Sequence, residues 1–200
     1  MPVIVVAGHS RKVGKTSVAA GIIKAFNKLS WTAIKISPHR HGEEHASEQL
    51  GADVPFHIYE ESGCRGNSDT SRFLAAGALR ALWVEARQDC LGYAIKALHP
   101  ILQSDFFVII ESNAVMEFLD PDLCILVLRY DEEEFKDSAR EVLRRADAVM
   151  VIGPQHNLPA WWSWVNESLI NLPQFFSDDP QILPDAFVKW METRLLSLER

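Results

Sequence analysis

The chain has 200 residues, with 20 Lys and Arg against 27 Asp and Glu, a formal net charge of −7. Hydrophobic residues at 48% and charged residues at 24% exclude a wholly disordered chain. A chain of this length buries one large core, on the order of 70% of its unfolded surface, and leaves no room for a second full-sized domain. The acidic balance argues against a general nucleic-acid or anionic-membrane binder, since both carry negative charge.

Three cysteines, Cys64, Cys90 and Cys124, are odd in number and far apart. They fit neither a disulfide framework nor a zinc site, and reduced thiols in a cytoplasmic protein are the simplest reading. The opening run from Met1 to Ala7 lacks basic residues and is too short for a signal peptide or a membrane span.

Along the chain, short Val/Ile-rich runs predict strands at Val3–Ala7, Thr32–Ile36, Ala81–Val84, Phe106–Ile110, Cys124–Leu128 and Ala148–Ile152. Most are continuous rather than alternating, as in parallel strands covered on both faces. Helical spacing fills the intervals. Val18, Ile22, Phe26 and Leu29 form one stripe. Phe135, Ala139, Val142 and Leu143 predict a helix over Glu132–Arg145, acidic at its start and basic at its end. Phe187, Met191 and Leu195 mark a last helix over Pro184–Leu198. This alternation predicts a doubly wound α/β fold over residues 1–200, a mainly parallel sheet of about seven strands with helices on both faces. Two regions break the rhythm. Residues 37–68 are polar and carry His39, His41 and His45, which reads as a lid or insert more readily than as a metal site. Residues 153–183 are irregular, with four prolines and the cluster Trp161-Trp162-Ser163-Trp164, read as packing or an interface.

The sharpest signal lies at the first strand–helix junction, Gly8-His9-Ser10-Arg11-Lys12-Val13-Gly14-Lys15-Thr16-Ser17. A buried strand runs into a loop ending Gly-Lys-Thr, and an amphipathic helix follows at once. Loop amides and the helix N-terminus suit a phosphate, Lys15 suits its charge, and the Thr16 hydroxyl suits Mg²⁺. Gly8, Arg11, Lys12, Val13, Gly14, Lys15, Thr16 and Ser17 are therefore candidate contacts for a nucleotide. The spacing is Gly-x5-Gly-Lys-Thr, with His9 where the commoner loop has glycine. No Asn-Lys-x-Asp guanine motif occurs, so ATP and GTP both stay open.

This loop resembles that of dethiobiotin synthetase and its relatives, in the broad P-loop class that includes MinD-like ATPases. Three further segments are similar to MobB-type accessory proteins of molybdopterin-guanine dinucleotide biosynthesis. They are Ala33–His41, a strand ending in lysine and a His-rich turn; Asp69–Ala78; and Asp105–Glu111, a strand ending in glutamate. The family glutamate is usually followed by glycine, whereas here Ser112-Asn113 follow. The resemblance implies a P-loop NTPase fold, a Mg²⁺-dependent and slow NTPase, a homodimer, and a partner enzyme or small anionic substrate. A ligase or kinase of the dethiobiotin synthetase type, or a nucleotide-gated adaptor without turnover, are the alternatives.

Glu111, at the carboxyl edge of the predicted sheet, reads as a Mg²⁺ contact, a water-activating base, or a solvated strand end. Lys35 should face the same edge, to hold an anion or simply to meet solvent. Asp69 opens a helix, as its N-cap or as a Mg²⁺ contact, with Arg72 one turn on and suited to phosphate.

Overall fold

Strand β1 (Val3–Gly8) sends Ile4 and Val6 to one layer of helices and Val5 and Ala7 to the other. A strand apolar on both sides belongs inside a sheet. In the computed structural model, which describes residues 2–38, 56–104, 107–155 and 157–198, it lies between two others. The remaining strands are β2 (Trp31–Pro38), β3 (Phe56–Glu60), β4 (Arg80–Ala86), β5 (Phe107–Glu111), β6 (Leu123–Arg129), β7 (Ala148–Ile152) and β8 (Gln174–Ser177). Their order is β3-β4-β2-β5-β1-β6-β7-β8, and every pair is parallel except β3 with β4.

Helices α1 (Lys15–Ala25), α2 (Asp69–Ala76) and α6 (Asp185–Leu198) cover one face through residues such as Val18, Ile22, Phe73, Phe187 and Met191. Helices α3 (Leu91–Ser104), α4 (Asp137–Leu143) and α5 (Trp162–Leu169) cover the other, through Leu98, Val142 and Val165 among others. The strands wind outward from β1 in both directions. Connections therefore diverge at its carboxyl end and leave a crevice there, the usual ligand position in such sheets.

Among the described residues the sheet has eight strands, in keeping with the expected mainly parallel sheet of about seven. Strand β3 falls inside the predicted polar insert at 37–68. As an edge strand it is half-buried and needs few apolar residues: Phe56 and Ile58 pack on the core, while Tyr59 stacks on Trp83. His39, His41 and His45 lie outside the described residues, as do Asp105 and Phe106. The irregular stretch 153–183 contains α5 and β8, whose short lengths weaken their periodic signal. The helix expected over Glu132–Arg145 is shortened to α4. The Lys136 amide donates to the His9 carbonyl at 2.9 Å, so the preceding residues pack against the loop after β1 instead of continuing the helix. Among the described residues no helix is long and apolar enough to cross a membrane.

Helix α6 docks by Phe187, Met191 and Leu195, and the Phe187 ring meets Phe175 edge-on at 5.2 Å. Phe187→Ala should cost about 3–5 kcal/mol. In urea the midpoint should fall with the m-value unchanged. A loss under about 1 kcal/mol would mean that α6 sits loosely on the sheet.

Candidate functional site

The loop between β1 and α1 is shaped by backbone constraints at its two ends. At Gly8 an added Cβ would lie 2.6 Å from Val13 Cγ2 and 2.9 Å from Lys15 Cγ, so only glycine lets the loop fold back on the strand. Gly14 has φ +104°, a left-handed turn that points the chain into α1, and it supplies no side-chain cap. The first amides of α1 are thereby left to a ligand. Lys12, at φ 57°, is the one non-glycine residue with positive φ among those described, and such strain gathers at functional loops. Val13 buries its side chain in the core and anchors the loop from below. Arg11 and Lys12 stand exposed on the rim.

Strand register brings the other candidates to this loop. Glu111 ends β5, opposite Lys35 on β2 and Val6 on β1. Its carboxylate is only 2% exposed. One oxygen accepts the Thr16 hydroxyl at 2.7 Å, and the other is bonded and ion-paired to Lys35 Nζ. The same ammonium lies 3.0 Å from Asp69 Oδ2, while Arg72 approaches Asp69 and donates to the Ser17 hydroxyl at 2.8 Å. Burial works against the Lys35 charge, but Glu111 and Asp69 outweigh it and hold its pKa above the ordinary value. Asp69 is not the N-cap of α2. Ser68 takes that role, its Oγ accepting the Ser71 amide at 3.0 Å, and Asp69 in the first turn is left to meet Lys35.

Lys15 Nζ donates to the Ser10 carbonyl across the loop at 2.7 Å. Burial pulls its pKa down to about 8, with Lys35 and Lys136 adding to the fall and Glu111 opposing it. These groups line a cavity of about 720 Å³ at the carboxyl ends of β1, β2, β5 and β6. Its walls hold seven cationic side chains against three carboxylates, in a chain of net charge −7. Such a local reversal of sign favours an anionic ligand.

Several residues of the site were not singled out from sequence. Asn113 clasps one residue with both ends of its amide: Nδ2 donates to the Gly8 carbonyl at 2.8 Å, and Oδ1 accepts the Gly8 amide at 2.9 Å. The signal was present, since Ser112-Asn113 stand where the resembling family has glycine. His9 is fully buried, and its ring meets Trp161 at 5.0 Å and Phe135 at 5.3 Å. Desolvation lowers its pKa. The Trp161 indole donates to the Glu132 carbonyl at 2.9 Å, and Trp164 packs on Phe135, with the Arg140 guanidinium over its ring. The tryptophan cluster thus backs the loop. Lys136 and Arg129 also line the cavity. Cys64 is exposed; Cys90 and Cys124 are buried, and burial pushes the Cys124 thiol up to about 12.

A site for Mg²⁺ can be tested on the donors alone. Thr16 and Glu111 offer adjoining oxygens, with Asp69 beyond Lys35. The described residues contain no cluster of three or more His, Cys, Asp or Glu able to enclose a metal. Mg²⁺ generally takes one or two carboxylates and completes its shell with water and phosphate. The donors therefore fit a metal that arrives with a polyphosphate.

No known protein-family description matches the chain, and no curated protein sequence is recognisably similar. Solved structures are similar in fold. HypB from Helicobacter pylori, crystallised in complex with nickel, has a TM-score of 0.54 at 16% identity, over 98% of this chain and 88% of HypB. LpxK from Aquifex aeolicus, crystallised with ATP, gives 0.49 at 20% identity, over 88% of this chain and 53% of LpxK. MobB from Bacillus subtilis gives 0.45 at 17%, over 97% of this chain and 98% of MobB. Fold and loop together define a P-loop NTPase architecture.

Two outcomes follow from this geometry. Lys15 binds its proton less tightly in the folded protein than its ordinary value of 10.5 would give. It therefore lowers stability below about pH 8, and that cost fades as pH rises towards 10.5. A polyphosphate in the loop reverses the preference. Its affinity should fall about tenfold between pH 7 and pH 9, with proton uptake on binding near pH 8, as read by calorimetry in buffers of different ionisation enthalpy. Asn113→Ala should cost about 2 kcal/mol of unfolding free energy by leaving the Gly8 peptide unpaired, and should weaken polyphosphate binding. Unchanged binding would show that the loop holds its shape without the clasp.

Proposed function

We propose that this protein is a Mg²⁺-dependent, nucleoside triphosphate-binding P-loop protein, with ATP or GTP as the nucleotide and slow hydrolysis on its own. One observation carries the reading. A left-handed Gly14 opens α1 beside Lys15, and Thr16 is bonded to a buried strand-end carboxylate at the sheet's crevice. In this reading the amides of the loop and of Lys15, Thr16 and Ser17 hold the phosphates. Lys15 leaves the Ser10 carbonyl to meet the β/γ-phosphate oxygens. Gly8 keeps the strand close, and Arg11, Lys12 and Lys35 add positive charge. Thr16 and Glu111 would hold the metal, with Asp69 next to them. When bound, Mg²⁺ would neutralise charge on the phosphates. Slow turnover is supported by the partners of Glu111: Thr16 and Lys35 each hold one of its oxygens, so a water must compete with both donors for the carboxylate.

The MobB-like accessory role belongs to the same proposal, as do a homodimer, a single domain over 1–200 with a polar lid or insert at about 37–68, of which Phe56–Glu60 are the edge strand β3, and a cytoplasmic setting. They rest on the sequence resemblance. A second reading is favoured by the cavity's extent. It continues past Lys35 to an apolar wall of Ile36, Ala86, Leu91 and Ala114, more than a triphosphate needs. This suits a dethiobiotin synthetase-type transfer to a small anionic substrate. An adaptor without turnover is the third possibility, and product analysis separates the three.

The test begins with thermal unfolding. Mg²⁺-nucleotide at 100-fold over Kd should stabilise the protein by about 2.7 kcal/mol, roughly 5–10 °C in Tm. Lys15→Ala should remove most of that shift. Glu111→Gln should still bind nucleotide, but should lose turnover and most of the Mg²⁺ dependence in single-turnover phosphate release. If no triphosphate shifts the wild type at millimolar concentration, the proposal fails.

A further inference from the structure

Lys35 is placed unlike an ordinary phosphate-binding lysine. Its side chain is 18% exposed, and its ammonium lies between Glu111 and Asp69, taking an oxygen from each. Both carboxylates line the same cavity as Thr16. The other Glu111 oxygen accepts the Thr16 hydroxyl. A divalent ion that takes the Lys35-bonded oxygen directly competes with the ammonium there. It also meets a positive charge a few ångströms away, and like charges at that distance repel strongly in a partly buried site. Lys35 is suited to yield: it is a point charge on a flexible four-carbon stem, whereas a guanidinium would grip a carboxylate with two parallel bonds. A second anchor lies within reach in Asp69, which Arg72 approaches from the other side.

We propose that Lys35 is a built-in rival of Mg²⁺ for Glu111, a positioning residue that balances the buried carboxylate until Mg²⁺ enters with nucleotide and that sets how much Mg²⁺ the site requires. The Lys35 ammonium then keeps Asp69 as its partner. This inference rests on the nucleotide reading above.

The test measures nucleotide affinity with and without Mg²⁺, using a fluorescent non-hydrolysable triphosphate. The ratio of the two affinities is the coupling between metal and nucleotide. Mg²⁺-free binding is measured first. If the wild type binds no nucleotide under either condition, it is the nucleotide reading that fails. Where it binds, Lys35→Met should raise the coupling at least about tenfold, because a competing charge is gone. Lys35→Arg should move it the other way, lowering it several-fold, because the fork is harder to displace. A lysine that only held phosphate would weaken nucleotide binding in the methionine variant and leave the coupling unchanged. A lysine that only braced the site would lower the coupling in both variants. Either result overturns the proposal. Should Lys35→Met fail to fold with Glu111 left unpaired, Lys35→Arg decides alone: unchanged or raised coupling overturns it.

Discussion

A carboxylate removed from water must be paired or it will not stay ionised, and Glu111 is the group on which the site depends. Strand β5 is apolar from Phe107 to Ile110 and ends on this acid, so the sheet's own register sets it beside β1 and the loop that follows it. Its pairing draws in Thr16 from α1 and Lys35 from β2, and through Lys35 it draws in Asp69 from α2. Four elements distant in sequence are tied at one point. The arrangement holds no large surplus of energy, because desolvation offsets much of the attraction between buried ions. Its value is that it fixes which groups face the crevice.

The loop above this point is held from two sides. Below, Asn113 clasps the Gly8 peptide, and Val13 is sunk in the core. Behind, His9 rests in a box formed by Phe135 and Trp161, while its carbonyl accepts the Lys136 amide. A loop fixed in this way keeps its shape without outside help, and prior order of that kind lowers the ordering cost of any contact made there. The side chains that do this are apolar, aromatic or amide-bearing, and Lys136 contributes only its backbone amide.

What was legible in the sequence was whatever depends on local pattern. The aliphatic strands, the Gly-Lys-Thr junction and the stripe of Phe187, Met191 and Leu195 are each written within a few residues. What was hidden depends on contacts between distant segments. Strand β3 is half-buried at an edge and shows little of the buried-strand signature. Residues 132–136 have a helix's charge pattern but are captured by the loop. Asp69 has the look of a cap, yet the adjacent Ser68 caps and leaves the acid for Lys35. The partners of His9 lie more than 120 residues away, at Glu132 and Trp161, beyond the reach of any spacing rule.

The segment after β8 has a place in this assembly. A Cβ on Gly14 would lie 2.9 Å from Pro180 Cβ, and one on Gly21 would lie 2.9 Å from Leu183 Cγ. The helix that follows the Gly-Lys-Thr loop is thus seated against residues far along the sequence. During synthesis the wall that confines Gly14 emerges 166 residues after it. A nascent chain therefore carries the Gly-Lys-Thr motif through all of that interval before the wall closes on it, so this corner of the crevice is finished by a contact of long range rather than by the motif.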